Sequence, residues 1–125
     1  MRIPRPFLHA ARIADLILFY PAVLLVIWGE LSPHVTPELE WSNDKVLHFI
    51  AYFGLAWIAA AAVTKRGTAL RACLALIVLG GLLEILQGLV GRDMSVYDEL
   101  ANTIGVMVGG FAARVMVEFL RRRLA

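Results

Sequence analysis

Three short stretches of this 125-residue chain carry side chains able to do chemistry. The first holds Asp44, Lys45, His48 and Tyr52; on a helix, the i, i+4, i+8 spacing of Asp44, His48 and Tyr52 lines one face. The second is Glu84 with Gln87, spaced i, i+3 on one helical face inside the apolar run LGGLLEILQGLV. The third is Arg92-Asp93-Met94-Ser95, followed by Asp98 and Asn102. An imidazole beside carboxylates is equipped for proton transfer, which makes His48 and Glu84 the expected acid–base pair. Arg92 and Lys45 are equipped to hold phosphate or carboxylate, arginine in forked geometry and lysine as a point charge. Asp44, Tyr52, Gln87, Asp98 and Asn102 complete the expected ligand-binding set. The set lacks a metal-motif spacing such as HExxH, so neither a metal nor a cofactor is expected. Ser95 near His48 and Asp98 makes a hydroxyl–imidazole–carboxylate combination too common to define a nucleophile.

Each of these residues also has a purely structural use. Asp44 and Asp98 suit helix N-termini, Lys45 a snorkelling headgroup anchor, and Tyr52 a packed aromatic near a membrane interface. His48 can make a structural hydrogen bond. Glu84, a carboxylate in an apolar run, needs a proton, a cation or an arginine partner. Arg92 is the nearest arginine on its side of the chain's charge pattern. An ion pair between Glu84 and Arg92, direct or through one water, is therefore expected as the electrostatic centre.

The elements that must position these side chains are membrane helices. Sixty per cent of the residues are hydrophobic, 18% are charged, and mean hydropathy is +0.74. A water-soluble domain runs nearer half apolar and a quarter charged. Apolar residues gather in four blocks, at about 14–31, 46–63, 69–90 and 100–120. Each is close to the ~20 residues with which a helix crosses ~30 Å of hydrocarbon. The blocks are too long and too evenly apolar for barrel strands, so the expected fold is all-α, a polytopic four-transmembrane-helix bundle forming a single domain over 1–125. Turn chemistry separates the blocks at Ser32-Pro33, Thr36-Pro37, Lys65-Arg66-Gly67 and Gly91-Arg92-Asp93. Block one has a basic lead but no small-x-small cleavage site, and Asp15 and Pro21 interrupt it; it reads as a retained helix kinked at Pro21, not a signal peptide.

Charge sets the expected orientation. The net charge is +2, and ten of the twelve Lys and Arg residues lie at the N-terminus, in the 63–71 loop and at the C-terminal end. The other side holds Lys45 and Arg92 with Glu30, Glu38, Glu40, Asp44, Asp93, Asp98 and Glu99. Both termini are therefore expected in the cytoplasm. Arg121-Arg122-Arg123 reads as a stop at anionic headgroups, and no nucleic-acid partner is expected. At ~1.5 Å per residue, Glu84 lies about 9 Å inside Val90, and His48 and Asn102 about 6 Å inside their helix starts. The three polar stretches thus reach one outer-leaflet depth. Asp98, Asn102, Gly105 and Gly109 share one face, so the GxxxG of helix four should turn inward with the polar residues, with Gly54, Gly80, Gly81 and Gly88 as candidate counterparts. Arg12 with Asp15 and Arg114 with Glu118 are expected pairs, Trp28 and Trp41 suit an aromatic belt, and Cys73, the one cysteine, reads as a small packing residue.

Asp44-Lys45 with His48, Glu84 with Gln87, Gly91-Arg92, and Asp98…Asn102…Gly105 occur in an order that resembles the VanZ-like family of small bacterial membrane proteins. The resemblance covers roughly residues 40–115. It implies a helical membrane core of this layout in the bacterial cytoplasmic membrane. It also implies that Asp44, Lys45, His48, Tyr52, Glu84, Gln87, Arg92, Asp98 and Asn102 form the family's polar site. The member that gives the family its name is an accessory protein of teicoplanin resistance; the resemblance transfers no agreed activity.

Two functions fit. One is an outer-leaflet site that binds or modifies an envelope amphiphile: a lipid-linked precursor, a phospholipid headgroup or a lipid-tailed glycopeptide. The other is a non-enzymatic structural or regulatory subunit whose polar network only locks the bundle. Transport fits least, because the polar residues stop near one leaflet. The oligomeric state is not fixed by the sequence.

Overall fold

A computed structural model describes residues 5–32 and 41–124, and within them not the side chains of residues 5–8, 11, 41, 42 and 124. The turn signals at Pro33 and Thr36-Pro37, the acidic Glu38 and Glu40, Arg2, the Arg5 side chain and the Trp41 ring lie outside the described residues. The described chain forms four helices and no strand: α1 Arg5–Leu31, α2 Trp41–Ala62, α3 Arg66–Leu89 and α4 Val96–Leu124. All four are long and apolar enough to cross a membrane, so this is a multi-pass membrane protein built as an all-α four-helix bundle.

The helices outrun the apolar blocks. α1 starts at Arg5 instead of near 14, and α4 spans 96–124 instead of about 100–120. Hydropathy marks the part of a helix that suits lipid, whereas hydrogen bonding continues through polar end turns. Those turns are favourable in α4, where Asp98 and Glu99 open the helix and Arg121, Arg122 and Arg123 close it, each sign matching the helix dipole. α1 runs unbroken through Pro21.

The helix ends are finished in two ways. Beyond Leu89, α3 is closed by Gly91, whose φ of +83° lets the Arg92 N–H donate to the Gln87 carbonyl at 3.0 Å, a glycine-based C-terminal turn. α1 and α2 carry no basic residue in their last turns and take an arginine from elsewhere. Arg92 serves α1. Arg114 of α4 serves α2, donating to the carbonyls of Ala60 (3.3 Å), Val63 (2.8 Å) and Thr64 (3.2 Å). The expected Arg114–Glu118 pair is therefore not made. Glu118 accepts from Arg122 at 3.2 Å and lies 4.0 Å from Arg66. Orphan carbonyls at a helix end have no partner of their own, whereas an exposed ion pair contributes little, so the guanidinium goes to the carbonyls. No ion pair joins Arg12 to Asp15 among the described residues.

α2 and α4 are the most intimately packed pair, and the glycine seam of α4 is the reason. A β-carbon on Gly105 would stand 2.5 Å from the Phe49 carbonyl oxygen, and one on Gly109 would collide with the Phe53 carbonyl. Lipid tails are as apolar as leucine, so helices associate here through close backbone approach. Tyr52, Leu55, Ala56 and Val106 fill the middle of the core. Of the candidate counterpart glycines, Gly80 is tightly enclosed, 2.6 Å from Glu99 Oε2 at its notional β-carbon, whereas Gly54 meets open space and Gly81 and Gly88 make only ordinary contacts. Ile17 and Leu24 of α1, Leu74 of α3 and Phe111 of α4 point outward, as lipid-facing side chains do.

Candidate functional site

The opening turns of α2 and α4 and the closing turns of α1 and α3 meet at one end of the bundle. α2 brings Asp44, Lys45, His48 and Tyr52, α3 brings Glu84 and Gln87, and α4 brings Asp98 and Asn102. His48, Tyr52, Glu84, Gln87, Asp98 and Asn102 are all buried, so six of the nine expected site residues lie inside the protein where three helices converge. Gly80 makes room for them, since its missing side chain is replaced by Glu99, Asn102 and the Tyr52 ring.

His48 is the centre. Its Nδ1 stands 3.0 Å from Asn102 Oδ1. Four carboxylates surround the ring at slightly longer range: Glu30 Oε1 at 3.8 Å and Glu84 Oε1 at 3.9 Å from Nδ1, Asp98 Oδ2 at 3.8 Å and Asp44 Oδ1 at 3.9 Å from Nε2. The Asn102 amide nitrogen donates to Glu99 Oε2 at 3.3 Å, which fixes the amide with its oxygen toward the histidine. The buried Tyr52 hydroxyl makes no hydrogen bond among the described residues and lies beside the Glu30 carboxylate.

The expected ion pair between Glu84 and Arg92 is absent. Arg92 Nη1 donates to the Gly29 carbonyl at 3.1 Å and the Glu30 carbonyl at 2.7 Å, and Gln87 also donates to Glu30 O, at 3.1 Å. Glu84 Oε2 accepts the Ser95 backbone N–H at 3.1 Å. The turn at Gly91 delivers Arg92 onto the end of α1, where the helix presents orphan carbonyls and the negative pole of its dipole. Lys45 is likewise engaged, 3.2 Å from Asp44 Oδ2 and ion-paired with Asp98 Oδ1. Both cations expected to hold an anionic ligand thus meet protein acceptors. Ser95 enters as the residue opening α4, its carbonyl accepting the Asp98 N–H at 3.1 Å.

Two carboxylates outside the expected set, Glu30 and Glu99, belong to the site. Glu30 is buried at the end of α1, and Glu99 accepts from Asn102 and Thr103. Glu30 carried a readable signal: a carboxylate in a final helical turn opposes the helix dipole and needs another reason to be there. Glu99 carried none, because an acidic first turn of α4 is favourable on its own.

A cleft of about 190 Å³ opens between α1 and α2 beside this cluster. Glu30, Asp44, His48 and Arg92 form its polar end, and Val26 and Leu47 its apolar wall. The carboxylate oxygens stand 3.8–3.9 Å from the ring nitrogens, a span that one bridging water would close for proton exchange with His48. The arrangement can also hold a cation: Asp44, His48 and Asp98 offer three donor atoms within 4.8 Å of one another. No sequence motif announced that group, because its members come from two helices. Comparisons with models of known protein families, with curated proteins and with solved structures find no match.

Proposed function

We propose that the protein is a VanZ-like bacterial inner-membrane protein whose outer-leaflet site binds or modifies an envelope amphiphile. The observation that carries this reading is the cleft, which continues from buried polar side chains to an apolar wall along α1 and α2. A headgroup meets the first and an acyl or prenyl chain the second. Six buried polar side chains in one end of a membrane bundle are costly unless they are used, and His48 with Glu84, 3.9 Å apart, is the pair that would move a proton through one bridging water. The positive-inside rule puts both termini in the cytoplasm and the site at the outer leaflet.

One observation favours the alternative, a subunit whose network only locks the bundle: Arg92 and Gln87 both tie the end of α1 to α3 and its following loop. The two readings separate in one experiment. Purified wild type, Glu84→Gln and His48→Ala are compared for envelope lipids retained through purification, by mass spectrometry, and for thermal unfolding. Variants that melt like wild type and lose a specific retained lipid support the site. Variants that lose stability while wild type retains no specific lipid leave the network structural. Orientation is tested in a Cys73→Ala background with single cysteines at Ser32 and Gly67. Outside labelling of position 67 with protection of position 32 overturns it.

A further inference from the structure

We propose that Asp44, His48 and Asp98 bind one divalent transition-metal ion, of the Zn2+ or Mn2+ class, through His48 Nε2 and one carboxylate oxygen from each aspartate. The three donor atoms lie together: Nε2 is 3.9 Å from Asp44 Oδ1 and 3.8 Å from Asp98 Oδ2. Donors held about 2.0–2.2 Å from a tetrahedral ion stand roughly 3.4 Å apart, so each histidine–aspartate edge closes by a few tenths of an ångström, and the two aspartate oxygens, within 4.8 Å of each other, close onto the ion by side-chain rotation. The mixed imidazole and carboxylate set suits such ions better than Mg2+, which takes oxygen donors.

Two further observations point to a cation. The first is the proton on His48. Asn102 presents its oxygen to Nδ1 because its nitrogen is occupied by Glu99, so Nδ1 is the donor. A neutral ring then carries its lone pair on Nε2, the nitrogen that stands 3.9 Å from Asp44 Oδ1 and 3.8 Å from Asp98 Oδ2. Metal-binding histidines are oriented in this way, by donating their other N–H to a fixed acceptor. The second is the excess of buried carboxylates over cations around the ring. Glu30 and Glu84 are more than nine-tenths buried on the Nδ1 side of His48, and Glu84 Oε1 finds no hydrogen-bond partner among the described residues, so a cation on the Nε2 side would offset their charge through the ring without bonding to them. Lys45 sits on the opposite oxygens of Asp44 and Asp98, leaving Oδ1 of Asp44 and Oδ2 of Asp98 facing the histidine. The proposal deepens the amphiphile reading and rests on the same site: a metal ion would give a carboxylate-rich cleft the means to meet an anionic headgroup.

The test uses the full chain in detergent, freed of its affinity tag, stripped with a chelator, and titrated calorimetrically with Zn2+, Mn2+ or Mg2+ alone. The expected result is one Zn2+ or Mn2+ per chain, bound at least about tenfold more tightly than Mg2+. Asp44→Asn, at the partly exposed edge of the cluster, should weaken that binding by about tenfold or more, and His48→Gln should abolish it. Asp93→Asn, an exposed carboxylate outside the cluster, should change nothing. Absence of a stoichiometric ion in wild type overturns the proposal, and so does equal affinity in Asp44→Asn and wild type. If His48→Gln fails to fold, Asp44→Asn decides. No lipid is present in the titration, so a failure here leaves lipid retention standing. Loss of lipid retention, conversely, leaves the metal site standing.

Discussion

Replacing Arg92 by methionine isolates what ties α1 to the rest of the bundle. The change keeps the length and apolar stem of the side chain and removes both hydrogen bonds from Nη1, to Gly29 O at 3.1 Å and Glu30 O at 2.7 Å. Hydrogen bonds from a charged donor contribute about 1.5–3 kcal/mol each. The Glu30 carbonyl keeps its bond from Gln87 at 3.1 Å, so only the Gly29 carbonyl loses its side-chain donor altogether. The expected cost is therefore about 2–4 kcal/mol, below the full sum of two such bonds. α1 packs chiefly on α2 and lightly on α3, so the loss should appear first as release of α1. Arg92→Lys keeps one charged donor and should recover about half of the loss. The assay is equilibrium unfolding in mixed micelles, with proteolysis at the end of α1 as the local readout. A loss below about 0.5 kcal/mol for Arg92→Met, in the range of an ordinary surface substitution, would refute the reasoning.

Two contrasts test the rest of the architecture. Gly109→Val should push α2 and α4 apart and cost about 1–3 kcal/mol or more, whereas Gly54→Ala, with open space around its notional β-carbon, should be neutral or stabilising by up to about 1 kcal/mol; unfolding midpoints of the two variants decide. Arg114→Met should cost about 2 kcal/mol through the α2 carbonyls, while Glu118→Gln, which removes only exposed pairs, should stay within about 0.5 kcal/mol in the same unfolding assay, and equal losses would restore an Arg114–Glu118 pair.

The sequence by itself determined the membrane class, the four helices and the gathering of the polar stretches at one end of the bundle. Apolar length sets whether a helix can cross lipid, and the 1.5 Å rise turns residue number into depth, so both follow from local composition. It also determined the inward face of α4, because Asn102, Gly105 and Gly109 keep their angular relation in any helix. Only the tertiary structure decided which charges meet. Arg92 and Glu84 share a depth, yet partner choice depends on azimuth and on competing acceptors. The free carbonyls of Gly29 and Glu30, on a helix more than sixty residues away in sequence, take the guanidinium. Arg114 leaves Glu118 for the end of α2 for the same reason. A carbonyl at a helix terminus is a feature of every sequence and a signal in none. Its neighbours exist only once the helices have packed, and that packing also drew Glu30 and Glu99 into the cluster around His48.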